Sequence, residues 1–229
     1  MTKIVVTGIA GRMGQRLGSL TLAAEDLFLV GGTEHEKHLC LGRDIGEFLG
    51  GKNKDIKITN SIEECIAIAD VVIAFTSPEA TLRDAKICAD YSKAMVVGTT
   101  GFEQIQLDEF KQIVSNISCV FASNFSTAMN VLFQLVEQAA SKLGDEYDVE
   151  IIEMHHHFKV DAPSGSAITL GERVASGLGR DFTDHAIHGR EGVVGPRNNK
   201  EIGMHAVRIG DVAGVHKVLF GAPGEYVEL

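Results

Sequence analysis

From residue 3 to about 121 the chain alternates short apolar runs with longer stretches whose apolar positions recur every three to four residues. The runs at 4–7, 27–31, 56–59, 71–75, 94–97 and 119–122 read as strands, and near-continuous segments such as Val71, Val72 and Ile73 suit strands buried on both faces. Helices are predicted near 12–24, 61–68, 79–90 and 105–115, and Ser61 with Glu64 has the spacing of a capping box. Such alternation predicts α/β architecture, a Rossmann-like doubly wound parallel sheet. Beyond it the pattern changes. A long helix over 126–143, closed by Gly144, precedes a strand over 148–154, a histidine-rich loop and a helix over about 164–178. Apolar runs at 204–209, 215–220 and 226–229 follow between glycine-rich turns. This second part reads as α+β with a mostly antiparallel sheet, which places the domains at 1–125 and 126–229.

Composition narrows the class. With 229 residues, 45% hydrophobic and 23% charged, the chain has ordinary globular proportions, enough for two modest domains. It has no apolar stretch of membrane-spanning length and no secretory signal, so a cytoplasmic protein is expected. Cys40, Cys65, Cys88 and Cys119 are widely spaced and read as free thiols. A net charge of −10 argues against nucleic acid as a partner, yet local cations and helix N-termini can still bind a small dicarboxylate.

Two segments carry chemistry. In the first, Gly8, Ile9, Ala10, Gly11, Arg12 and Met13, then Gly14, run from the first strand into a helix. Gly8 suits a sharp turn, Gly11 lets backbone approach a pyrophosphate, and Gly14 allows close packing of helix on strand. A plain tight turn would use the same glycines, but Glu34 follows the second strand, where a carboxylate can bond ribose hydroxyls. Its neighbour is His35, a weaker partner for a 2′-phosphate than arginine.

In the second segment, Glu153 to Ala167, a strand delivers His155, His156, His157 and Lys159 into a loop, and Pro163 precedes Ser164, Gly165 and Ser166 at a helix start. Proton carriers, a fixed positive charge and helix-start donors are what holding a carboxylate and protonating an anionic intermediate require. The competing reading is zinc bound by His155 and His157, which share a face if the strand continues. No third ligand set is evident and Lys159 opposes a cation, so no metal is expected.

At these residues the chain resembles the dihydrodipicolinate reductase family, whose hallmark is E-x-H-H-x-x-K-x-D-A-P-S-G-T-A; Ser166 replaces the threonine and keeps its hydroxyl. Phe75-Thr76-Ser77-Pro78 is similar to the family's D-F-T-x-P, with Ala74 for the aspartate. Gly98-Thr99-Thr100-Gly101-Phe102 and Ala122-Ser123-Asn124-Phe125-Ser126 match two further motifs. The resemblance covers essentially the whole chain. It implies a 4-hydroxy-tetrahydrodipicolinate reductase using NADH and/or NADPH, on the route to diaminopimelate and lysine, and assembled as a homotetramer. Carried over, Gly8 to Met13, Glu34, Gly98, Thr99, Thr100, Ala122, Ser123, Asn124 and Phe125 bind the dinucleotide. His155 and Lys159 are catalytic, and His156, Gly165 and Ser166 bind the substrate. The family pattern continues past Leu229 into a tail returning to the nucleotide domain, so an impaired, non-catalytic nucleotide-binding relative is the alternative expectation.

Overall fold

The computed structural model describes residues 1–229, which divide into two compact units, Met1–Ala122 and Ser123–Leu229. The first unit runs β1 (Thr2–Thr7), α1 (Arg12–Ala23), β2 (Leu27–Thr33), α2 (Ile45–Phe48), β3 (Ile58–Thr59), β4 (Val71–Ala74), α3 (Pro78–Asp90), β5 (Ala94–Val97), α4 (Gln104–Val114) and β6 (Cys119–Phe121). All six strands are parallel in the order β3-β2-β1-β4-β5-β6, the doubly wound arrangement the alternating pattern predicts. Because side chains alternate across a strand, β1 sends Ile4 and Val6 into one apolar layer, with Ile9, Leu29, Ile45 and Ile58. Val5 enters the opposite layer, with Val72, Leu82, Met95 and Phe110.

The segment 61–68 departs from the predicted helix. It forms two 3-10 turns, Ile62–Glu64 and Ile66–Ile68, and Ser61 Oγ accepts from the Glu63 amide, so no capping box with Glu64 forms. The tighter turns bury Ile62 and Ile66 completely. The reciprocal box sits instead at the start of α4, between Glu103 and Gln106. Helix α2 was not legible in the apolar pattern. It forms because Asp44 caps it and also accepts from the amides of Lys54 and Ile56.

The second unit runs α5 (Thr127–Leu143), β7 (Asp148–His155), α6 (Gly165–Gly177), α7 (Phe182–His185), β8 (Ala186–His188), β9 (Ile202–Arg208), β10 (Val215–Ala222) and β11 (Glu225–Glu228). Its sheet, β11-β10-β7-β9-β8, is more evenly mixed than the pattern predicts: β10 pairs antiparallel with β7 and β11, while β7–β9 and β8–β9 are parallel. Crossovers separate the parallel strands: α6 and α7 lie between β7 and β8, and the loop 189–201 lies between β8 and β9. Val149, Ile151, Ile202, Met204, Val218 and Phe220 turn one face of the sheet into a core shared with Phe133 and Val136 of α5 and Leu170 and Val174 of α6. The two helices pass closely at Gly177, where a Cβ would meet the Glu137 carbonyl at 2.4 Å.

Candidate active site

In the first unit the glycine turn, the end of β2 and the loop after β4 converge. Gly8 has φ +64°, and a Cβ on it meets Thr76 Cγ2 at 2.8 Å. A Cβ on Gly14 lies 2.0 Å from the Gly8 carbonyl, so α1 packs directly on the turn. Helix α1 begins after Gly11 without a side-chain cap, which leaves its first amides for a ligand. Glu34 is fixed by two backbone amides: Ala10 donates to Oε2 at 2.9 Å and His35 to Oε1 at 2.9 Å. Ile9 is buried in the core beneath the turn, whereas Arg12 and Met13 are exposed on α1. Gly98 has no room for a Cβ, which meets the Phe75 ring at 2.0 Å. Beside it, Thr99 Oγ1 accepts from the Thr76 amide at 3.0 Å and pairs with Thr81 Oγ1 at 2.7 Å. Thr100 follows at the end of this half-buried loop. A cavity of about 290 Å³ opens here, lined by Thr7, Gly8, Thr33, Glu34, Thr76 and Asp84 among others.

These residues fit a dinucleotide. The turn provides a cradle that a Cβ would fill, Glu34 is held at the end of β2, and the buried Thr7 Oγ1 beside them has no hydrogen-bond partner. Of the segment after β6, Ala122 continues the sheet by donating to Val97 O, while Ser123 and Asn124 belong to the second unit, with exposed Phe125 following. Ser123 Oγ lies 2.8 Å from Thr169 Oγ1, and Asn124 Nδ2 donates to Ser166 Oγ at 2.9 Å.

The second unit's site stands at the C-terminal end of β7. The strand ends at His155, so the shared strand face that would pair His155 with His157 does not extend that far. His155 Nδ1 lies 2.6 Å from Glu153 Oε2. Glu153, 1% exposed, also receives both Nη groups of Arg208 at 2.9 and 2.8 Å and the Ser164 amide at 3.0 Å. Burial pushes the Glu153 carboxyl up, but the bonds from Arg208, His155 and Ser164 outweigh it and hold it below its ordinary range. Glu153 is therefore an anion that accepts from His155 Nδ1–H and turns Nε2 outward, as a carboxylate orients an imidazole in acid–base sites. Gly214 passes over that nitrogen; a Cβ there lies 3.0 Å from His155 Nε2.

His216, paired with Glu153 across β10 and β7, stands edge-on to His155 at 5.2 Å between ring centroids. Burial drives His216 down to about 4, assisted by charge on His155 and Lys159, so it is a neutral imidazole whose Nε2 lies 3.2 Å from Ser164 Oγ. Lys159 Nζ donates to both oxygens of Asp161, at 2.8 and 3.0 Å, and its amide ties back to His156 O in the same turn. Ser164 caps α6 by accepting from the Ala167 amide. That leaves the amides of Gly165 and Ser166, the first two of the helix, without intrahelical partners. Ser166 Oγ accepts from Asn124 Nδ2, so its proton remains for an acceptor.

Sequence reasoning assigned no role to Glu153, Arg208 or His216, and gave Ser164 only a place at the helix start. Glu153 had a signal: two residues before His155 on a strand, it shares that residue's face. Arg208 and His216 had none, because they arrive on β9 and β10 from more than fifty residues away.

Comparison with known proteins covers both units. Residues 2–125 match the family described as dihydrodipicolinate reductase, N-terminus, and residues 128–229 match its C-terminus. A protein of Syntrophus aciditrophicus named 4-hydroxy-tetrahydrodipicolinate reductase is 44% identical over 229 residues, which is 100% of this chain and 85% of that protein. One of the same name from Aromatoleum aromaticum is 45% identical over 227 residues, 99% of this chain and 82% of the relative. Among solved structures, dipicolinate-bound dihydrodipicolinate reductase from Paenisporosarcina sp. TG-14 superposes with a TM-score of 0.67 at 26% identity, covering 100% of this chain and 86% of that one. GenD2 from gentamicin A biosynthesis, in complex with NAD, shares the fold at a TM-score of 0.65 and 13% identity, covering 100% of this chain and 72% of its own.

Proposed function

The chain belongs to the dihydrodipicolinate reductase family, and we propose that two domains divide the reaction, residues 1–125 binding the dinucleotide and residues 126–229 the substrate. It is a 4-hydroxy-tetrahydrodipicolinate reductase, an NAD(P)H-dependent oxidoreductase of the diaminopimelate and lysine route. Its relatives, matched along the whole chain, carry the name of an active reductase, which favours catalysis over the non-catalytic alternative. When bound, the nicotinamide supplies a hydride.

The remaining work falls to the chain's own residues. Reduction of the cyclic dicarboxylate adds a hydride and a proton and sheds water, so charge appears on the ring and must be neutralised. His155, oriented by Glu153, transfers a proton through Nε2. Lys159, beside it in the loop, donates a proton and offsets the developing negative charge. His156, the amides of Gly165 and Ser166, and the Ser166 hydroxyl hold the carboxylates. Gly8 to Met13, Glu34, Gly98, Thr99 and Thr100 bind the cofactor, and Ala122, Ser123, Asn124 and Phe125 are assigned to cofactor binding as well. The observation that carries this reading is the start of α6: two amides without intrahelical partners, a free hydroxyl proton and the His155–Lys159 turn belong to one loop. Calorimetry with dipicolinate and NADH tests it. Ser166→Ala is expected to weaken dipicolinate by roughly 10- to 100-fold, the cost of leaving a charged acceptor unmet; unchanged affinity overturns the placement.

We also assign the enzyme to the cytoplasm as a homotetramer built through the second unit's sheet. No helix is long and apolar enough to cross a membrane. Opposite the face packed on α5 and α6, the sheet presents Val207, 37% exposed, Val215, 36%, and Tyr226, 74%, an apolar surface suited to a second copy. Sedimentation equilibrium of wild type and Val215→Glu tests this: a tetramer that the substitution dissociates is expected, and a monomeric wild type overturns it.

A further inference from the structure

The cavity at the strand ends of the first unit holds a buried carboxylate that the hydride chemistry does not use. Asp84, on α3, is 4% exposed, and its nearest cation, Arg83 Nε, stands 3.7 Å away, beyond a good hydrogen bond. Asp84 lines the same 290 Å³ cavity as Thr7, Gly8, Glu34 and His35, and the buried Thr7 Oγ1 there also lacks a partner. Burial raises Asp84 to about 6, with Arg83 only partly opposing it. A carboxylate held this way is costly unless a donor arrives to meet it.

We propose that Asp84 reads the adenine of the cofactor, its carboxylate accepting a hydrogen bond from the exocyclic amine of the base. This rests on the dinucleotide reading of the cavity. With the pyrophosphate at the uncapped start of α1 and the ribose on Glu34, the wall left for the base is the first turns of α3, where Ala80, Arg83 and Asp84 lie. A carboxylate only accepts. Phosphates offer it nothing, and Glu34 occupies the ribose hydroxyls, so the exocyclic amine is the donor that remains in the adenosine half. Arg83, whose side chain is 66% exposed, supplies a planar cation at the rim on which an adenine ring can stack.

The test compares NADH with reduced nicotinamide hypoxanthine dinucleotide, which carries a carbonyl where adenine carries the amine. Wild type is expected to bind NADH roughly 10- to 100-fold tighter, the scale of a charge-assisted hydrogen bond. Asp84→Asn, whose carboxamide can donate to that carbonyl, is expected to abolish or invert the ratio while melting as wild type does. An equal ratio in both proteins overturns the proposal. A second readout needs only wild type: calorimetry near pH 6 in two buffers of different ionisation enthalpy. A donor favours the ionised carboxylate, so NADH is expected to release more protons than the hypoxanthine analogue. Glu34, His35, Glu79 and Arg83 also face the cavity, but both dinucleotides meet them alike, so the difference belongs to Asp84; equal release overturns it. If wild type binds neither dinucleotide, the cofactor reading itself fails.

Discussion

Glu153 Oε2 lies 2.6 Å from His155 Nδ1, and the same carboxylate is gripped by both Nη groups of Arg208. One buried anion thus orients the candidate acid–base imidazole and neutralises an arginine from a neighbouring strand. Glu153→Gln keeps the shape and removes the charge. It is expected to lower kcat by about 10²-fold or more, because His155 loses the partner that fixes its tautomer and supports its protonated form. Stability should fall by about 3–5 kcal/mol, since Arg208 is left unpaired. Steady-state kinetics and urea unfolding check both; unchanged kcat in a folded variant rules out the orienting role.

His155→Gln and Lys159→Ala are each expected to reduce kcat by roughly 10²-fold or more, the usual scale of acid–base assistance. Neither residue lines the cavity of the first unit, so cofactor affinity should stay within about twofold. Fluorescence titration of NADH beside turnover measurements separates the effects. A variant losing NADH affinity in step with kcat refutes the assignment.

Cofactor choice is expected to turn on residue 35. Glu34 is fixed by the amides of Ala10 and His35, and His35 lines the same cavity, so NADH should bind at least as well as NADPH at neutral pH. His35→Arg supplies a guanidinium able to grip a 2′-phosphate and should shift the NADPH to NADH ratio of Kd by about tenfold towards NADPH. Titrating both cofactors against both proteins decides it, and a strong NADPH preference in wild type contradicts it.

Acid should unfold the second unit in two stages. His216 is depressed to about 4, so the unfolded chain takes up its proton first, and the stability it contributes, full above about 6.5, is lost as pH falls through about 4. Glu150 is half-buried, which raises it, but bonds from Arg190, His205 and Arg197 pull it to about 2. Its contribution, full above about 4.5, is lost as pH falls through about 2. Thermal melts across pH 7 to 2 are expected to show His216→Asn flattening the upper stage and Glu150→Gln the lower. Parallel curves for all three proteins would remove these groups as the cause.

The sequence by itself determined the first unit's architecture and pointed to both candidate site segments. Continuous Val and Ile runs leave a strand no face for water, and helical periods between them force parallel crossovers, so the parallel doubly wound sheet followed from local pattern. The glycine turn and the loop from Glu153 to Ala167 were legible because their chemistry is contiguous: sharp turn, cap and donors lie within a few residues. Tertiary structure alone decided what surrounds them. The parallel pairing of β7 with β9 brings Arg208 beside His155, and the antiparallel pairing with β10 brings His216 opposite Glu153. Neither register is written in the local periodicity, which fixes which face a residue takes but not which strand lies next to it. The same holds for Asp84, an unremarked helix residue in the sequence; its burial at the cavity comes from α3 packing where the ends of β1, β2 and β4 meet.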